Sequence, residues 1–129
     1  MKTFDYPLTE GRPSISLNHK EGILTISGRS ILPDSDIVYK PIMDLLDNYF
    51  DQNDKIVCNV QLEYFNSCSA RSLMQLFQML DKHALKKKHI TTIWHYEEED
   101  DDSYEFGLDL QTSLRHPVEL TEIQNKKPD

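Results

Sequence analysis

Four side chains able to do chemistry stand together in the run Tyr64-Phe65-Asn66-Ser67-Cys68-Ser69-Ala70-Arg71. Before it, apolar residues alternate as in a strand. After it they recur at helical spacing. Asn66, Ser67, Cys68 and Ser69 therefore fall where a helix begins, beside backbone N–H groups that lack helical partners and at the positive end of the helix dipole. Such a place suits recognition of an anion, or a hydroxyl that carries a phosphoryl group without needing a basic pocket. It also suits plain capping, since Asn and Ser are good N-cap residues, each contributing about 1 kcal/mol. Spacing alone does not separate Ser67 from Ser69. Cys68 is a candidate reactive thiol, and no motif puts a base beside it.

The other concentrations of reactive groups are less specific. Glu97, Glu98, Glu99, Asp100, Asp101 and Asp102 follow one another without the interspersed spacing and turn glycine of a cation-chelating loop. They read as a solvated loop that runs into a helix N-terminus and offers a docking surface to a basic partner. His19, His83, His89, His95 and His116 are scattered, and none stands at zinc-ligand spacing from Cys58 or Cys68. No metal and no cofactor is expected. His95 beside the acids would be the general base of a small hydrolase, but no set of convergent polar groups accompanies it.

The elements that must position these residues are legible from periodicity. Ile15 and Leu17 alternate with polar neighbours, and Gly22 to Ile26 follow a turn, which predicts a hairpin. Val38, Ile42, Leu45, Leu46 and Tyr49 share a helical face within 36–51. Pro41 fits only near a first turn, so the regular helix is expected to begin after Asp36. Ile56, Cys58, Val60, Leu62 and Tyr64 line one strand face; Val57, Asn59, Gln61, Glu63 and Phe65 line a mostly polar one. From Ser69 on, Leu73, Leu76, Phe77, Leu80 and Ala84 form one stripe. Met74 and Leu85 flank it on one side and Met79 on the other. Exposed methionine suits an adaptable contact surface, while buried methionine would merely widen the stripe.

Residues 89–96 alternate again, with Ile90, Thr92, Trp94 and Tyr96 on one side. Asp102 and Glu105 stand at capping-box spacing ahead of Phe106, Leu110 and Leu114. A last strand is predicted over 118–123. The order β-β-α-β-α-β-α-β implies an α/β sandwich: a mixed sheet with helices mainly on one face.

Bulk properties narrow the function. A chain of 129 residues with net charge -8 reads as one domain over 1–129. Residues 1–13 read as a loosely ordered lead-in and 124–129 as a polar tail. The negative surface disfavours nucleic acid and anionic membrane, because both need a basic patch. With no apolar span, no signal peptide and two cysteines, the expected compartment is the cytoplasm.

The segment Leu62 to Arg71 resembles the signature of the SiaC-type regulatory phosphoproteins, relatives of the STAS-domain anti-sigma factor antagonists. Trp94-His95-Tyr96 with the acids after it resembles that family's tryptophan and acidic stretch, as does Glu105-Phe106-Gly107-Leu108-Asp109. The likeness extends through nearly the whole chain and implies a STAS-like fold. In that family the residue after the asparagine or aspartate is the phosphoacceptor. The role falls on Ser67, supported by Asn66, Cys68 and Ser69, with Cys68 standing where a hydroxyl residue is frequent.

The resemblance further implies a partner switch rather than an enzyme. A kinase with a GHKL-type ATP fold phosphorylates the acceptor, a PP2C-like phosphatase restores it, and the unphosphorylated form activates an effector, in that family a diguanylate cyclase. Arg71, Met74, Glu97, Glu98, Glu99 and Asp100 are the candidate partner contacts. The alternative is a constitutive adaptor of the same fold that needs no phosphate.

Overall fold

The computed structural model describes residues 4–6 and 11–123. Six strands, β1 (Phe4–Tyr6), β2 (Ser14–Asn18), β3 (Ile23–Ser30), β4 (Lys55–Phe65), β5 (His89–Glu97) and β6 (Val118–Ile123), form one sheet in chain order. Strands β1 to β3 are antiparallel and β3 to β6 are parallel. Each parallel step needs a crossover. Helices α1 (Asp36–Tyr49), α2 (Ser67–Leu85) and α3 (Asp101–Ser113) supply them. The predicted order is present, with β1 added to it inside the stretch read as a lead-in. The rest of that lead-in up to Glu10, and the polar tail 124–129, lie outside the described residues.

All three helices cover the same face. Leu24, Ile26, Ile56, Cys58, Val60, Ile90 and Trp94 point into it and are buried with Ile42, Leu46, Leu73, Leu76, Phe77 and Leu80 from the helices. Each large apolar side chain fully buried here contributes about 1.5–3 kcal/mol. The opposite face carries Thr25, Asn59, Gln61, Thr91 and His95, half-buried or exposed, and no described helix covers it. That one-sidedness is what the alternation in β4 predicted.

Two details depart from expectation. Helix α1 starts at Asp36, so Pro41 is its sixth residue and is exposed. Tertiary contacts hold the helix start ahead of the turn that Pro41 weakens: the Ser35 hydroxyl meets Ser72 of α2, and buried Tyr39 reaches Ser30. On α2, Met79 is buried and Met74 half-buried against the core, so of the flanking apolar residues only Leu85 is exposed. At the hairpin, Gly22 adopts φ +71, and a Cβ there would meet the Tyr49 hydroxyl and the Lys55 carbonyl at 3.0 Å. No described helix is long and apolar enough to cross a membrane.

Candidate phosphoacceptor site

A register shift shapes the approach to the site. Gly28 pairs with Leu62 but Arg29 pairs with Tyr64, so Glu63 is an extra residue in β4. One inserted residue reverses the alternation beyond it. Tyr64, expected on the apolar face, is 52% exposed. Phe65, expected on the polar face, turns inward and packs on Trp94 and Phe106 at centroid distances of 5.6 and 5.2 Å.

Helix α2 then begins at once, two residues earlier than the apolar stripe implied. Asn66 is its N-cap: the side-chain oxygen accepts the Ser69 N–H at 2.9 Å, and its amide donates to the Leu32 carbonyl at 2.9 Å. Ser67 is thus the first helical residue. It is exposed, and its hydroxyl has no hydrogen-bond partner among the described residues.

Ser69 differs in every respect. It is fully buried, donates to the Ser30 carbonyl at 2.8 Å and accepts from the Ser30 hydroxyl at 2.7 Å. Spacing left these two serines equivalent; burial separates them. Arg71 is exposed one turn beyond Ser67 on the same face, and half-buried Met74 follows it.

Behind Ser67 runs a seam of hydroxyls that the sequence reading did not single out. Tyr39 meets Ser30, and Ser35 meets Ser72 and donates to the Cys68 carbonyl. Burial pushes the Tyr39 hydroxyl up to about 12, against a smaller opposing effect of its bond to Ser30. The Cys68 sulfur takes the Ser35 N–H at 3.3 Å and lies 3.0 Å from the Ser35 hydroxyl. The thiol is therefore a strut between α1 and α2, which qualifies its reading as a reactive group. The seam members lie 33 to 39 residues from their partners in α2, so no local pattern reveals them.

Opposite Ser67 stands α3. Its N-cap is Asp100, whose carboxylate accepts the Ser103 N–H at 3.0 Å; the predicted capping box at Asp102 and Glu105 lies inside the helix instead. Glu97 ends β5, and Glu98 and Glu99 are exposed in the turn. The Trp94 indole N–H donates to the Ser103 carbonyl at 3.0 Å, and its ring meets Phe106 at 5.1 Å. Between the α2 start and α3 lies an open cleft of about 430 Å³, lined by Tyr64, Phe65, Asn66 and Ser67 on one side and by Asp100, Asp102, Glu105, Phe106 and Asp109 on the other.

His95 is on the uncovered sheet face, 3.5 Å from Asn59, and is not among the cleft residues. Among the described residues no group of three or more His, Cys, Asp or Glu is placed to hold a metal ion. Cys58, buried beneath the sheet, has its thiol pushed up to about 12 by desolvation.

Fold and site together define a small α/β domain that presents a hydroxyl to solvent at a helix N-terminus. The chain belongs to the SiaC family: residues 7–123 match the family described as SiaC family regulatory phosphoprotein. Its fold is similar to that of SiaC of Pseudomonas aeruginosa, with 18% identity and a TM-score of 0.87 over 95% of this chain and 100% of that one. It is equally similar to a chain in the crystal structure of the diguanylate cyclase SiaD in complex with its activator SiaC from the same organism. There the identity is 17% and the TM-score 0.86, over 93% of this chain and 99% of that one. Among proteins with curated functions none matches the chain in sequence.

Proposed function

We propose that this chain is a cytoplasmic binding protein, not an enzyme, and that phosphorylation of Ser67 governs its choice of partner. The observation that supports this reading most is the contrast at the α2 start, where Ser67 is exposed with its hydroxyl unengaged among the described residues while Ser69 is sealed. A GHKL-type kinase transfers the γ-phosphoryl group of ATP to the Ser67 oxygen, which loses its proton, and ADP leaves. A PP2C-like phosphatase returns the hydroxyl by hydrolysis. The unphosphorylated form binds and activates an effector of the diguanylate cyclase class, the kind of protein that SiaC accompanies in the complex named above.

The contact surface runs from Ser67 along Arg71 and Met74 and across the cleft to Glu97, Glu98, Glu99 and Asp100. The phosphate adds about -1.5 to -2 charges. Enclosed in an interface without a counterion, such a charge costs roughly 3 to 5 kcal/mol. At about 1.4 kcal/mol per tenfold, effector affinity falls by about two to three and a half orders of magnitude.

Co-expression with the kinase followed by intact-mass measurement tests the site. A single phosphate that disappears in Ser67→Ala supports it; a phosphate retained in that variant rejects it. Effector binding by Ser67→Asp as tight as wild type would favour a constitutive adaptor.

A further inference from the structure

The two walls of the cleft would treat a phosphate in opposite ways. On the α2 side, Asn66 occupies the Ser69 N–H and the Ala70 N–H bonds the Asn66 carbonyl. The first-turn amides of Ser67 and Cys68 have no helical carbonyl to bond, and the dipole of a 19-residue helix adds positive character there. On the α3 side, Asp102, Glu105 and Asp109 recur at helical spacing along one stripe, with Asp100 at its head. Among the described residues no lysine, arginine or histidine lines the cleft, and α3 itself contains none.

Helix α3 buries few side chains of its own. Of its 13 residues only Ser103, Gly107 and Leu110 are buried, whereas α2 buries seven side chains from Ser69 to Leu80. Much of what seats α3 on the sheet converges on one residue. Trp94 holds the Ser103 carbonyl, touches Phe106, and lies so near Gly107 that a Cβ there would come within 2.9 Å of its ring.

Building on the assignment of Ser67 as the acceptor, we propose that its phosphate switches the fold as well as the interface. Held by the α2 amides, the dianion repels the carboxylate stripe of α3, widens the cleft and lifts α3 from its seat on Trp94. The effector then loses a shaped surface in addition to meeting a new charge. No covalent step beyond the phosphoryl transfer is required.

The test uses the full chain with phosphoserine installed at position 67 by genetic-code expansion and verified by intact mass. Since Trp94 is the single tryptophan, its emission reports on α3 directly. At low salt, phosphorylation is expected to shift that emission to the red and to speed hydrogen exchange of the α3 amides by about tenfold or more. Both changes should shrink at about 0.5 M salt, where charges are screened over about 4–5 Å. Both should be absent in a phosphorylated Asp102→Asn, Glu105→Gln, Asp109→Asn variant, and reduced in Glu105→Gln alone should the triple variant not fold.

Unchanged exchange and emission on phosphorylation would overturn the proposal, as would an equal change in the folded neutralised variant. Release of the effector with α3 unmoved would reject this inference and leave the Ser67 switch standing. Movement of α3 with effector binding intact would reject the link from helix to effector, and the Ser67 switch with it.

Discussion

Replacing Ser67 and Ser69 in turn by alanine asks opposite things of the same helix end. Ser69→Ala removes two buried hydrogen bonds, one to the Ser30 carbonyl and one from the Ser30 hydroxyl. Each is worth about 0.5–1.5 kcal/mol net, and a buried partner left wholly unsatisfied would add about 1–3 kcal/mol. That second penalty is avoided, because the Ser30 carbonyl still accepts the Asn66 N–H and its hydroxyl still meets Tyr39. The expected loss is therefore about 2 kcal/mol, or roughly 5–10 °C in Tm for a chain of this size.

Ser67→Ala, by contrast, deletes an exposed hydroxyl without a partner among the described residues and should stay within about 0.5 kcal/mol of wild type. Urea unfolding followed by Trp94 emission and far-UV circular dichroism gives both numbers. Kinase treatment with intact-mass readout gives the complement: Ser69→Ala keeps its phosphate and Ser67→Ala does not. Equal destabilisation by the two substitutions, or a larger loss in Ser67→Ala, would refute the argument that burial divides these serines into scaffold and acceptor.

Three further outcomes follow from other parts of the molecule. Lys87 occupies the left-handed region at φ 70, with its N–H on Ala84 and the Lys88 N–H on the His83 carbonyl, so Lys87→Gly should raise stability by about 0.5–1 kcal/mol in urea unfolding. Gly107→Ala would set a Cβ 2.5 Å from Leu120 and 2.9 Å from Trp94; overpacking at about 1–3 kcal/mol outweighs the better helix propensity, and Tm should fall while Trp94 emission shifts.

The third concerns alkaline pH. Burial raises the Cys58 thiol from its ordinary 9.0 to about 12, so the folded state keeps a proton that the unfolded chain gives up. Stability is intact below pH 9 and declines toward pH 12, by about 1.4 kcal/mol per pH unit. Buried Tyr39 adds the same slope from about pH 10. In Cys58→Ala, urea midpoints should hold steady to about pH 10 before falling; an unchanged onset near pH 9 would contradict the assignment.

Periodicity along the chain determined the three helices, five of the six strands and the one-sided sheet. Those patterns record burial directly: residues such as Leu73, Leu76, Phe77 and Leu80 are apolar because that face must leave water. The polar junction at Asn66 to Ser69 was legible for the same reason, since a helix start leaves N–H groups to be satisfied. Tertiary structure decided what needs two distant segments at once. The extra residue at Glu63 exists only relative to Gly28 and Arg29, and it reverses Tyr64 and Phe65. Pro41 is tolerated because Ser35 and Tyr39 are held from outside α1. Ser67 and Ser69 look alike in the chain, and only the approach of Ser30 from β3 seals one and leaves the other open to chemistry.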